Sequence, residues 1–384
     1  MRRSSQNLMI NGMRLHLVLL LVAPLAAQNA TFEDHPAITL ANDKIELLVL
    51  KQGASVASVV LRDDAAKLNP LWDPARMARE SGARGGFNSG TGQFLCVDGF
   101  GPVSSEEQAA GLPGHGEAHT VEWESRAQDG QLVLTTQLPH TQENITRTMT
   151  LARGENVVIY ETTLESQLAF DRPVCWAEHA TIGSPFLAPG VTVVDFPAVR
   201  SKTRPHEGRS GLPHRLPSDV EFTWPNAPTL DGKTVDLRAA PEHTNSGDHS
   251  ASLLDAKRTL AFATAINPKD GLIVGWVFKP QEYPWVQNWE NYPSSGKLAR
   301  GLEFSTQPFD LPRRIVIEQN NLWGTLLYRW LPAKSKISTR FALFFAHAPA
   351  GMKRVDDVRW ENGTLIVEDR ASGKTLRLPM AAPL

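Results

Sequence analysis

In Ile145-Thr146-Arg147-Thr148-Met149-Thr150-Leu151 a threonine occupies every second position. A period of two puts hydroxyls on one face and mostly apolar side chains on the other, as in a β-strand. Arg153-Gly154-Glu155-Asn156 then leads into the apolar run Val157-Val158-Ile159-Tyr160, so the segment reads as a hairpin with a Gly-containing loop. Short runs of the same kind, bounded by Gly, Pro, Asn or Asp, recur at 45–50, 55–61, 131–138, 157–164, 260–266, 272–278, 314–319 and 337–345. Helical periodicity is confined to a short stretch such as 74–80, where Pro74 suits a first helical position. The expected fold is therefore all-β: one large antiparallel β-sandwich over residues 28–384, its 27 prolines and 28 glycines marking many sharp rim connections. Asn362-Gly363 predicts a hairpin turn within 355–367, and the last strands are expected to close the sandwich. The poorly patterned stretch 200–255, with His206, His214, His243 and His249, is expected to run as an excursion over one face.

A chain of 384 residues, 41% of them hydrophobic, can bury a large core. Its 39 basic and 41 acidic residues leave no positive excess to neutralise a nucleic acid or an anionic membrane, so neither is expected as a partner. Arg2 and Arg3, the apolar run 15–25, and Ala26-Ala27 read as a secretory signal peptide over residues 1–27, with Met13 as an alternative start. The run is shorter than the roughly 20 apolar residues a membrane span needs. The mature protein is thus expected to be periplasmic or secreted and free of the membrane. Cys96 and Cys175 each lie in apolar sequence and are expected to be two buried thiols rather than a disulfide.

Three distant segments combine an ionisable residue with glycine or aromatic neighbours. They are Gly111-Leu112-Pro113-Gly114-His115-Gly116-Glu117-Ala118-His119, Cys175-Trp176-Ala177-Glu178-His179-Ala180-Thr181-Ile182-Gly183, and Ala299-Arg300-Gly301-Leu302-Glu303-Phe304-Ser305-Thr306-Gln307-Pro308. Glycines beside His115 would let backbone and imidazole approach a ligand closely. Strand alternation sets Trp176 and Glu178 on one face and His179 on the other. Glu303 likewise points away from Leu302 and Phe304.

On His115-Gly116, His179 and the Gly301-Leu302-Glu303-Phe304-Ser305-Thr306-Gln307 segment, the chain resembles the aldose 1-epimerase (galactose mutarotase-like) superfamily over roughly 38–347. It departs from the family where His179 follows Glu178 and precedes Ala180. Arg84 is the nearest counterpart of the sugar-binding arginine. The resemblance implies a small-molecule carbohydrate ligand, interconversion of sugar anomers, and no metal or other cofactor. It implies Glu303 as base, His179 as acid and His115 as a hydrogen-bonding group. The alternative is an exported carbohydrate-binding protein without turnover.

Other readings of these residues are structural. Arg300 is a candidate partner for a buried Glu303, and His179 a candidate interior histidine. Glu178 either orients a neighbouring group or faces solvent. His115 and His119 are four apart, but Gly- and Pro-rich surroundings disfavour the helix a zinc pair would need; His243 and His249 are the other candidate ligands. In the cluster Trp276, Tyr283, Trp285, Trp289 and Tyr292, Trp276 reads as core, while Trp285 and Trp289 lie in a loop-like stretch. Trp176, Glu178, Trp285 and Trp289, with Arg84, are the expected sugar contacts.

Overall fold

The computed structural model describes residues 27–82, 90–128, 130–205 and 211–384. Residues 1–26 of the signal peptide expected over 1–27, Arg84 and His206 lie outside the described residues. Strand accounts for 49% of the structure and helix for 6%. Two large sheets dominate, one of eleven strands and one of eight, with antiparallel pairing throughout. The all-β sandwich read from the sequence is thus the observed architecture.

The threonine-alternating segment shows how the sheets bury their apolar face. In the strand Glu143–Leu151, Ile145, Met149 and Leu151 are buried while Thr146 is exposed. Between the sheets, Leu95, Trp176, Leu302 and Phe304 of the larger meet Leu134, Tyr160, Trp276 and Phe341 of the smaller in one core. Phe278 and Phe304 stack across it with centroids 4.4 Å apart. The core also holds an ion pair, Arg147 Nη2 to Glu178 Oε1 at 2.5 Å. Gln93 donates to Glu178 Oε2 at 3.2 Å, and Trp276 Nε1 donates to Gln93 Oε1 at 2.8 Å. This network satisfies polar groups that would otherwise be costly to bury.

Three sequence expectations are overturned. Residues 314–319 are not a strand but most of the helix Arg313–Gln319. Pro312 precedes it, Arg314 and Glu318 pair at 2.9 Å one turn apart, and Asn320 ends it in a left-handed conformation at φ 64°. Only Val316 of its β-branched run is buried, so those residues had no sheet to join. Secondly, 200–255 is not merely an excursion. It is bounded by Ala198–Thr203 and Ser246–Leu254, two paired strands of the larger sheet. Their buried residues include Ser201, Thr203, Ser250 and Ser252, which carry no hydrophobic signal.

Thirdly, the last strands do not close the sandwich. Asp357–Glu361, Thr364–Asp369 and Lys374–Pro379 form a separate three-stranded sheet. It covers the outer face of the eight-stranded sheet, where Val157, Phe262, Ile273 and Phe344 pack against Val358, Leu365 and Val367. The predicted Asn-Gly turn is present, with φ of 46° at Asn362 and 80° at Gly363, the positive pair that such a two-residue hairpin requires. Cys96 and Cys175 are buried and free. Among the described residues no helix is long and apolar enough to cross a membrane.

Candidate active site

The middle of the eleven-stranded sheet is the ordered series Gln93–Val97, Trp176–Gly183, Ala299–Ser305, Trp285–Tyr292 and Ser246–Leu254. Register aligns one residue after another across it: Phe94 with His179, Thr181 with Gly301, Gly301 with Trp289, and Trp289 with His249. Because positions two apart share a strand face, Phe94, His179, Glu303, Trp289 and His249 all lie on the face away from the intersheet core. They floor a cavity of about 600 Å³. Loops complete it with Trp72, His115, His119, Arg204 and Asp310. Trp72 and Trp289 meet edge to face at 6.0 Å.

At the centre of this floor His179 Nε2 is 3.2 Å from Glu303 Oε1, and His179 Nδ1 is 3.0 Å from Thr181 Oγ1. Burial pushes the Glu303 carboxyl well above the usual carboxylate range, Asp310 adding to the rise and Arg204 opposing it. Burial pushes the His179 imidazole well below its ordinary value, and His115 and His119 act in the same direction. Both shifts favour uncharged forms, as expected for groups taken out of water. Carboxylic acid with neutral imidazole, and carboxylate with imidazolium, are two forms of one pair carrying one mobile proton.

His115 is held differently. Its backbone is left-handed at φ 63°, its amide donates to Gly101 O at 2.9 Å, and the Gly101 amide donates to its Nδ1 at 3.3 Å. Burial pushes its pKa down to about 3, with help from His119. The neutral ring, accepting at Nδ1, carries its proton on Nε2 and is a hydrogen-bond donor. Gly116 serves the scaffold: a Cβ there would stand 2.0 Å from Val97 O, so its glycine lets the loop close onto the neighbouring strand. Opposite, Arg204 Nη2 pairs with Asp310 Oδ2 at 2.5 Å, and His249 lies between Asp310 Oδ1 at 3.4 Å and Gln287 Oε1 at 2.8 Å.

Of the residues singled out in the sequence, the structure brings together His115, His179, Glu303 and Trp289. It does not bring Trp176, Glu178 or Trp285 to them. Trp176 and Glu178 face the intersheet core, as alternation with His179 demands, and Glu178 is occupied by Arg147. Trp285 and Trp289 both lie in the strand Trp285–Tyr292 rather than in a loop, and Trp285 is buried against Val316 and Leu327. Arg300 does not partner Glu303. It reaches Asn288 at 2.8 Å and the Leu237 carbonyl at 2.6 Å. His243 is exposed, whereas His249 is buried in its strand. Phe94, Trp72, Arg204 and Asp310 were not picked out from the sequence; only the aromatic and charged character of isolated residues marks them there.

No protein-family model matches the sequence, and no curated protein matches it. Solved structures do match in fold. A galactose mutarotase-like protein from Lactobacillus casei superposes with TM-score 0.55 at 14% identity, covering 81% of this chain and 100% of that one. A candidate aldose 1-epimerase from Klebsiella pneumoniae gives 0.56 at 15% identity, covering 83% and 81%. A galactose mutarotase related enzyme from Lactobacillus acidophilus gives 0.55 at 10% identity, covering 84% and 100%. The chain has the galactose mutarotase-like β-sandwich fold, in line with the resemblance read from its three short segments.

Proposed function

We propose that the chain binds a carbohydrate and interconverts its anomers, with Glu303 as base and His179 as acid. The observation that carries this reading is the 3.2 Å approach of His179 Nε2 to Glu303 Oε1 on the floor of a cavity of about 600 Å³ walled by aromatic rings. Ring opening requires the anomeric hydroxyl to lose a proton while the ring oxygen gains one and its bond to the anomeric carbon breaks. Carboxylate and imidazolium do this together and end as carboxylic acid and neutral imidazole. The pair thereby passes from one of its one-proton forms to the other, with no net exchange with water. The open chain turns its carbonyl, and the reverse transfers close the ring on the other face. His115, a neutral donor, hydrogen-bonds the ring or a neighbouring hydroxyl, and Trp289 stacks on the sugar's apolar face.

Polarimetry or exchange NMR on freshly dissolved α-D-glucose and α-D-galactose tests the reading, with binding measured on the same samples. Glu303→Gln keeps a hydrogen-bonding group but cannot take the proton, so acceleration should fall about 10²–10⁴-fold while binding persists. Wild-type protein that binds sugar yet leaves mutarotation unaccelerated is a carbohydrate-binding protein without turnover. Arg2, Arg3 and the apolar run 15–25 support export. Amino-terminal sequencing of the mature protein, with cleavage expected near Ala27, tests that part.

A further inference from the structure

His179 and Glu303 reach each other by leaning along their strands toward one registered pair. The strands Trp176–Gly183 and Ala299–Ser305 are in register at Glu178 with Phe304 and again at Thr181 with Gly301. His179 leans toward Thr181, two residues on, with Nδ1 3.0 Å from Thr181 Oγ1. Glu303 lies back over Gly301, two residues before it, so closely that a Cβ at Gly301 would stand 2.1 Å from Glu303 Oε1 and 2.8 Å from its Cδ. Residues two apart share a strand face, so both side chains converge over the same pair.

We propose that Thr181 and Gly301 are the positioning residues of this site, Thr181 by holding His179 Nδ1 and Gly301 by leaving the space in which the Glu303 carboxyl meets His179 Nε2. The proposal rests on the acid and base roles assigned above. Gly301 is not among the residues with positive φ, so it is space and not backbone conformation that asks for glycine. The three atoms nearest to its added Cβ all belong to the Glu303 side chain. An alanine there displaces a flexible side chain and leaves the strand in place. Thr181 is fully buried, and its carbonyl accepts from the amide of Trp72, another residue at the cavity, at 2.9 Å. Its hydroxyl can accept from Nδ1–H while Nε2–H faces Glu303, which is the arrangement the acid needs. Valine matches threonine in shape without the hydroxyl; serine keeps it.

The test compares full-length wild type with Gly301→Ala, Thr181→Val and Thr181→Ser. Polarimetry on α-D-glucose and α-D-galactose gives kcat and KM separately across pH, and ¹⁵N NMR reads the protonation and hydrogen bonding of the His179 ring. Gly301→Ala and Thr181→Val should lower kcat by about 10²-fold, the loss expected when a reacting group is misplaced by an ångström, with KM nearly unchanged. Both should shift the His179 ¹⁵N resonances, and Thr181→Ser should restore rate and resonances. Wild-type kcat, pH profile and His179 resonances in both variants would overturn the proposal. If wild type accelerates neither sugar, the acid–base reading falls, and the ¹⁵N spectra alone decide the positioning roles: shifted resonances uphold them and unshifted ones refute them.

Discussion

Phe94 lies nearly flat on His179, ring centroids 4.3 Å apart and planes 18° from parallel. The two residues are register partners in neighbouring strands, so sheet pairing itself lays the phenyl ring over the imidazole. Burial is the largest cause of the depressed His179 pKa, and this ring supplies part of that burial. Phe94→Ala should therefore raise the His179 pKa, as read by an NMR titration of its ring protons. It should also cost about 3 kcal/mol of stability in urea unfolding, as removal of a buried phenyl does. An unchanged titration would show that other groups keep water from the imidazole.

Acid should destabilise the fold through the histidines of the cavity. Folded His115 and His119 titrate at about 3 and about 4, against an ordinary value of 6.5. From pH 6.5 downward the unfolded chain takes up protons that the folded chain refuses, so stability falls as pH falls toward those values. Glu143, pushed up to about 8 by burial and by Asp98, acts oppositely: its contribution is full below 4.5 and is lost as pH rises through 8. Asp195, pushed up to about 6 by burial, and Glu303, pushed well above the usual carboxylate range, act in the same direction as Glu143, so the histidine contribution is read as the difference in slope between wild type and a histidine variant between pH 6.5 and 4.5. In denaturation curves across this range, His119→Gln should lose less stability on acidification than wild type does. Equal slopes in wild type and variant would count against this assignment.

Arg147 and Glu178 form an ion pair between the two sheets, both side chains almost fully buried. Removing one partner strands a charge, so Arg147→Met should cost about 3–5 kcal/mol. Arg147→Met combined with Glu178→Leu should recover most of that loss, since an apolar pair of similar volume avoids desolvating charges. Chemical denaturation measures both. Sugar binding should survive in the double variant, because Glu178 faces away from the cavity.

Trp289 and Trp285, four residues apart in one strand, should respond differently to truncation. Trp289 borders the cavity, and Trp289→Ala should weaken sugar binding by up to about tenfold, matching an aromatic contact of about 0.5–1.5 kcal/mol, with little loss of stability. Trp285 is buried against Val316, and Trp285→Ala should cost roughly 3–5 kcal/mol in unfolding. Calorimetric titration and thermal unfolding separate the two. Similar binding losses in both, without unfolding, would place Trp285 at the ligand.

The sequence by itself determined the strands with one apolar face and the direction of their side chains. Alternation in Ile145–Leu151 and the opposed facings of Glu178 and His179 are local properties of an extended chain, readable wherever a period of two is visible. It marked His115, His179 and Glu303 as candidates because ionisable residues stand out in apolar or glycine-rich surroundings. Where local pattern and available partners disagree, the reading failed. The β-branched run at 314–319 became a helix, and the serine-rich strand Ser246–Leu254 gave no apolar signal.

Only the tertiary structure decided which strands became neighbours. Strand order places Gln93–Val97 beside Trp176–Gly183, and Ala299–Ser305 on its other side, so residues separated by more than a hundred positions share one floor. Register then chose Phe94 to cover His179 and set Gly301 opposite Thr181. These pairings are long-range, and a side chain's pattern along its own strand says nothing about what will lie across from it. For the same physical reason the partner of Glu178 proved to be Arg147 of the opposing sheet, and that of Glu303 proved to be His179 rather than Arg300.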